Sequence, residues 1–360
     1  MADLKRGISL DLLIHPGETI SDVLEDRNIT QKELAKRAGV SEPFLSDVIR
    51  GKKDISKGLA MGLEYALGVP KSFWLNLQAN YDAELLSITE EQSITDQERT
   101  VFQSIQEIVH YLKTTNNIPC DSTENQAIIS LRKNLRISNL CLLKTMVPLR
   151  FFRSAEETKF NSDLLGAWLC LCEAQQQPAA SFFDEFRIQD LILSLKNIMQ
   201  RKELDPSSSL MNALSEYGIQ FSTIQSFRDI PIQGILRKNE NTYQLVLTRY
   251  ETPADDFWSL IFRQIGHMVN KDIKKNGMFI TIEDLANINF NKTNEFSANS
   301  LLDANSYKQF LENHKFTISS IEQFAKSQNV PSYIVIGRLQ REGIIPFNKF
   351  EKYKLKYKWT

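Results

Sequence analysis

The sequence predicts a mainly α-helical chain with a smaller α+β part towards its C-terminus, and three observations predict it. Between residues 15 and 82, apolar positions at helical spacing are divided into short runs by strong capping and stop signals. From Val101 to Met199, apolar residues recur at helical period in several further runs. After Gly218 the pattern changes to that of strands, and a helical pattern returns from Asp255. The expected division is a five-helix head over 1–83, a helical middle segment over 84–210, and a domain with a small sheet and a helical tail over 211–360.

Composition agrees with such a division. The chain has 360 residues, 42% of them hydrophobic and 10% aromatic, which is enough for two or three domains with real cores. A net charge of −1 excludes a polybasic nucleic-acid coat. It leaves room for a local positive face on a small reading head. Cys120, Cys141, Cys170 and Cys172 lack metal-ligand spacing. They read as reduced, structural thiols, so neither a metal nor a cofactor is expected. Cys170 and Cys172, two apart in an apolar helical run, cannot both face one way. No apolar run approaches a membrane span and residues 1–9 are polar, so the expected location is the cytoplasm.

The elements of the head follow from their punctuation. His15-Pro16-Gly17-Glu18 opens a first helix, with the proline where it costs no hydrogen bond, and Ile20, Val23 and Leu24 form its apolar face. Thr30 and Glu33 form a capping box for a second helix buried through Leu34 and Ala35, and Gly39 stops it in the left-handed conformation. Ser41 caps a third helix that tolerates Pro43 in its first turn. Phe44, Leu45, Val48 and Ile49 face inward there, leaving Ser41, Glu42, Ser46, Asp47 and Arg50 outward. Gly51 ends it, Lys52 and Lys53 follow in a loop, and Ser56 opens a fourth helix closed by Gly68.

Two short helices joined by a glycine turn, the second with polar outward residues, suit a helix-turn-helix whose second helix enters the major groove. The residues expected at DNA are Gln31, Ser41, Glu42, Pro43, Ser46, Asp47, Arg50, Lys52 and Lys53. Gln31 would grip a phosphate from the start of the preceding helix, Lys52 and Lys53 would touch phosphate, and Arg50 would reach phosphate or guanine. The carboxylates Glu42 and Asp47 repel phosphate but can accept from cytosine amino groups, which favours selective reading.

The same residues, from HPGE (15–18) through ITQKELAKRAGVSEPFLSDVIRGKKDIS (29–56) to Phe73, Trp74, Leu77, Gln78, Tyr81 and Asp82, resemble the HigA-type antitoxins of the Xre helix-turn-helix superfamily. The resemblance implies a homodimer that binds double-stranded DNA at its own operator, in an operon that usually also encodes a toxin.

In the middle segment, helices are expected over Val101–Leu112, Thr123–Asn134, Ser138–Thr145, Leu164–Glu173 and Phe186–Met199, with no catalytic constellation. His110 reads as a partly buried helix residue and Trp168 as core. Beyond them, Gly218–Phe221, Pro231–Arg237 and Tyr243–Thr248 are strand-like, with a turn at Asn239-Glu240-Asn241. Asp255–Val269 then reads as a helix.

That helix, DFWSLIFRQIGH (256–267), resembles the ImmA/IrrE peptidases, whose helix carries His-Glu-x-x-His for zinc and a general base. Arg263, Gln264 and His267 stand at those positions, and Lys292 of KTNEFS (292–297) stands at the third-ligand position. Cations replace two ligands and an amide replaces the base. The resemblance therefore implies a zincin-like pseudo-peptidase without metal or enzymatic activity, and an active zinc peptidase is disfavoured. Arg263, Lys292 and His267 either converge as an anion-binding pocket or persist as a solvated or internally paired remnant. The segment Phe324–Gln340 reads as a packing element and the basic end Lys349–Trp359 as a solvated terminus, with auxiliary nucleic-acid contact as the alternative. The expected function is a dimeric repressor with an antitoxin-like role, whose C-terminal domain binds a toxin, a ligand or its dimer mate. The alternative is a sensor-regulator responding to an anionic small molecule.

Overall fold

Side-chain caps set the boundaries of the first helices. A computed structural model describes residues 13–148, 161–175, 179–201, 203–228, 230, 232–249, 253–274, 277–282, 291–312 and 316–359. They fall into two units, 1–100 with 121–130 and 101–120 with 131–360. The first contains α1 (Pro16–Asp26), α2 (Gln31–Ala38), α3 (Glu42–Ile49), α4 (Lys57–Leu67) and α5 (Lys71–Gln92). His15 Nδ1 accepts the Gly17 amide at 2.9 Å, Thr30 Oγ1 that of Glu33 at 3.2 Å, and Ser41 Oγ that of Phe44 at 3.3 Å. Ser56 Oγ accepts the Leu59 amide at 3.2 Å. The capping box is half made, because the Glu33 carboxylate pairs forward with Arg37 one turn on instead of reaching back.

Gly39, at φ 71°, turns the chain out of α2 in a conformation most side chains resist. Ile20, Leu24, Leu34, Leu45, Val48, Leu59, Leu63 and Trp74 then form one buried cluster. Helices α2 and α4 approach so closely at Gly62 that a Cβ there would stand 2.3 Å from the Ala38 carbonyl oxygen. Trp74, fully buried, ties α5 into this core, while Phe73 and Leu86 remain exposed. Helix α5 also runs through Gln92, across the boundary expected between residues 83 and 84. Residues 83–92 contain neither glycine nor proline, and nothing stops the helix before Ser93.

The following helices are α6 (Asp96–Ser104), α7 (Gln106–Thr114), α8 (Glu124–Leu135), α9 (Leu143–Met146), α10 (Ser162–Ala174), α11 (Ile188–Gln200) and α12 (Ser207–Ser215). The helix expected over Val101–Leu112 is two, interrupted at Ile105, whose φ of −117° leaves the helical region. The one expected over Ser138–Thr145 is a 3₁₀ turn, Leu140–Leu142, running into α9. Phe186 lies before α11 and is exposed, and His110 is exposed rather than partly buried. Helix α10 is buried on every side from Asp163 to Cys172, so Trp168 is core and both cysteines are enclosed despite their spacing. Burial raises the Cys170 thiol to about 11 and Cys172 well above its ordinary value, which suits inert thiols.

Next come β1 (Ile219–Gln225), β2 (Ile232–Lys238), β3 (Tyr243–Arg249), α13 (Ala254–Val269) and β4 (Met278–Ile282). Strands β2 and β3 form the expected antiparallel hairpin, with Lys238 opposite Tyr243. β1 lies parallel to β3, and β4, absent from the sequence reading, adds to the free side of β2, giving the order β1-β3-β2-β4 among the described residues. Helices α14 (Asn291–Leu301), α15 (Ala304–Glu312), α16 (Ile318–Ser327) and α17 (Ser332–Arg341) follow among the described residues. Helix α13 brings Trp258, Ile261, Phe262 and Ile265 into the core and packs on α14 and α17.

The expected packing role of residues 324–340 matches the burial of Ile334, Val335, Ile336 and Leu339. The basic end is not a solvated terminus. Tyr357 is buried, its hydroxyl accepts from Trp258 Nε1 at 2.5 Å, and Lys354 pairs with Asp255 at 3.2 Å. The aromatic residues between the lysines anchor it. No described helix is long and apolar enough to cross a membrane.

Candidate nucleic-acid interface

Helix α3 divides cleanly into two faces. Leu45 and Val48 are buried, Phe44 and Ile49 are half-buried, and Ser41, Glu42, Pro43 and Arg50 are exposed. Ser46 and Asp47 are half-buried on the flank between them. Gln31 begins α2 and is exposed, leaving the first amides of that helix and its side chain open to an anion. Arg50 caps the C-terminal end of α3, and Lys52 and Lys53 follow Gly51 in the exposed loop. The turn between α2 and α3 therefore brings Gln31, the start of α3 and the basic loop into one five-helix unit.

One contact changes the electrostatics expected of this face. Lys53 Nζ lies 3.0 Å from Asp47 Oδ2, and the same ammonium sits 5.4 Å from the centre of the Phe44 ring. Its hydrogen bond holds the Asp47 carboxyl below the ordinary carboxylate value, with Lys52 and Arg50 adding smaller influences in the same direction. Asp47 thus meets Lys53 before any base, and Lys53 meets Asp47 before any phosphate. Among the described residues, Lys52 on the loop and Arg50 at the helix end make no comparable ion pair, and both are exposed.

The loop itself is braced by Gln78, Asp82, His15 and Tyr81, none of them expected at DNA. Gln78, buried on α5, accepts the Ile55 amide at 2.9 Å and donates to Asp82 at 2.8 Å and to Asp54 at 3.3 Å. The His15 ring lies against Gly51, where a Cβ would stand 3.3 Å from it, and meets the Tyr81 ring edge-on at 4.8 Å. Opening motif and closing motif therefore converge behind residues 51–55. Their separation in sequence hid this role; the spacing of Gln78 and Asp82, one helical turn apart, was the available signal.

Residues 20–74 match the helix-turn-helix family model. This segment is a helix-turn-helix domain. Virulence-associated protein A' of Dichelobacter nodosus is 41% identical over 69 residues, which are 19% of this chain and 60% of that protein's length. The uncharacterized HTH-type transcriptional regulator YddM of Escherichia coli K12 is 29% identical over 63 residues, 18% of this chain and 67% of that protein. Among solved structures, the Pseudomonas aeruginosa antitoxin HigA with the higBA promoter is 31% identical and covers 23% of this chain and 97% of its own, with a TM-score of 0.21. An addiction module antidote protein of the HigA family from Coxiella burnetii is 27% identical, covering 23% and 96%, also with a TM-score of 0.21.

Beyond the helix-turn-helix domain, the four positions that the peptidase resemblance singles out lie on α13 and at the start of α14. Gln264 is fully buried on α13 and its Nε2 donates to Thr281 Oγ1 at 2.8 Å. His267 is buried, with Nδ1 2.7 Å from Asp272 Oδ2 and its ring 4.2 Å from that of Phe279. Burial lowers its pKa, with the Arg263 charge a smaller influence in the same direction, against the opposing pull of Asp272. Lys292 is exposed at the start of α14. Arg263, half-buried, lines a cavity that Gln264, His267 and Lys292 do not line.

Proposed function

We propose that the protein is a sequence-specific transcriptional repressor that reads its own operator as a homodimer, in the manner of an antitoxin. The observation that carries this reading is the helix-turn-helix domain, with α3 presenting Ser41, Glu42, Pro43 and Arg50 to solvent beside a braced basic loop. The likeness of the same residues to an HTH-type transcriptional regulator supports the regulatory role. The antitoxin role and a cognate toxin rest on the HigA-type resemblance of residues 15–82. Dimerisation follows from mechanism, because one small head buries too little DNA surface for tight selectivity. The C-terminal unit acts as a catalytically inactive, peptidase-like binding module, and the protein works in the cytoplasm.

The test is footprinting and affinity measurement on the DNA upstream of the gene, for the full chain and for Arg50→Ala, over a salt series. A protected site with two-fold symmetry, and a loss of roughly tenfold or more on the substitution, is expected. Equal binding to operator and unrelated DNA would remove the repressor reading.

A further inference from the structure

Residues 349–359 carry five lysines and one carboxylate, Glu351. From Leu355 to Trp359 apolar and basic residues alternate, and in an extended chain that period sends them to opposite sides. The backbone there is fixed. Ala254 N donates to the Leu355 carbonyl at 2.8 Å, Lys358 N to that of Leu204 at 2.9 Å, and Lys356 forms an antiparallel bridge with Pro253. Tyr357 is buried, and Phe350, Tyr353, Leu355 and Trp359 pack against the core of the second unit.

The lysines take the other side. Lys356 and Lys358 are exposed, two residues and so roughly 6.5 Å apart along the chain. Lys349 and Lys352 are exposed around the turn at Phe350, each 5.2 Å from the centre of a neighbouring ring. Among the described residues none of these four pairs with a carboxylate, whereas Lys354 is committed to Asp255 and Gln340. Glu322 and Lys326 of α16, one turn apart, line a cavity with Lys352 and offset one another's charge.

Cations held on a fixed backbone fit a polyanion, and the direction of the rings narrows which. Single strands stack their bases on exposed aromatic rings, and bilayers take up apolar side chains. Here the rings between the lysines are turned into the core. Duplex DNA offers phosphates alone to such a face, one charge per about 1.7 Å of axis, and the chain already carries a helix-turn-helix domain. Phe347, before the first of these lysines, stays exposed, so a single strand and a bilayer are arms of the test.

We propose that Lys349, Lys352, Lys356 and Lys358 make a second, sequence-independent contact of this protein with the phosphates of duplex DNA. The inference rests on the reading of the chain as a DNA-binding regulator. The repressor reading fails on the ratio of operator to unrelated-DNA affinity, and this one fails on the salt slope for unrelated DNA.

Fluorescence anisotropy of the full chain with an unrelated duplex, over a salt series, compares the wild type with a variant carrying Lys349→Gln, Lys352→Gln, Lys356→Gln and Lys358→Gln. At about 0.15 M salt the variant is expected to bind roughly tenfold or more weakly, with the slope of log affinity against log salt reduced by about two or more. Arginine at the same four positions should keep the wild-type slope. The proposal is overturned if the glutamine variant keeps its affinity and slope, or if the arginine variant loses as much. It is also overturned if the loss is larger on a single strand of the same length, or on vesicles containing phosphatidylglycerol, than on the duplex. Should the glutamine variant fail to fold, Lys352→Gln with Lys356→Gln replaces it. A slope reduced by about one then supports the proposal, and an unchanged slope overturns it.

Discussion

Asp47 and Lys53 set the balance between grip and discrimination on the reading face. A carboxylate beside the groove repels phosphate, and here it also occupies a lysine that would otherwise contact the backbone. Lys53 holds the Asp47 carboxyl below its ordinary range, so the pair persists throughout the neutral range. Asp47→Asn is therefore expected to raise affinity for operator and unrelated DNA alike, by a few-fold, and to steepen the salt dependence by roughly one phosphate contact. Parallel titrations on both DNAs check this. If only operator binding changes, Asp47 contacts a base and the electrostatic account is wrong. The residue types at this face were readable from the helical spacing of α3. Their pairing was not, because it depends on how the loop after Gly51 folds back.

At the scale of elements, α5 does more than extend the head. Its first turns place Trp74 in the core, and Gln78, one turn later, receives the Ile55 amide of the loop after α3. Replacing Gln78 by leucine leaves that buried amide without its acceptor, at a cost of about 1–3 kcal/mol. Because Gln78 itself touches no phosphate in this reading, Gln78→Leu should lower operator affinity without changing the salt slope, whereas Lys52→Ala should flatten that slope. Equal slopes for both variants would mean that Lys52 makes no phosphate contact. The N-caps, the glycine stops and the β2–β3 hairpin were all legible, since each is a local rule written over a few residues. The continuation of α5, the break at Ile105 and strand β4 were not, because neighbouring elements determine how far a permissive segment extends.

Across the whole molecule, the second unit holds buried ionisable groups that tie its stability to pH. His267 is buried with its pKa below the ordinary 6.5, so it is neutral when folded and takes up a proton more readily when unfolded. Its contribution to stability is complete above that ordinary value and is lost as the pH falls through 6.5 towards the depressed folded value. Denaturant midpoints at about pH 7.5 and about pH 5.5 should therefore drop more for the wild type than for His267→Gln. The same drop in both would show that the acid sensitivity lies elsewhere.

The sequence by itself determined the helix-turn-helix domain, the strand hairpin and the mainly helical character, because caps, stops and hydrophobic period act between residues close in the chain. It also displayed the residue types at positions 263, 264, 267 and 292, two cations, an amide and an imidazole. Only the tertiary structure decided what surrounds them. Arg263 lines a cavity with Arg338 and Arg341, some seventy-five residues later in the chain. It likewise decided that the lysine-rich end is held down by Tyr357 and Lys354. Contacts of that range follow from packing α13 against α14 and α17, and no local spacing encodes them.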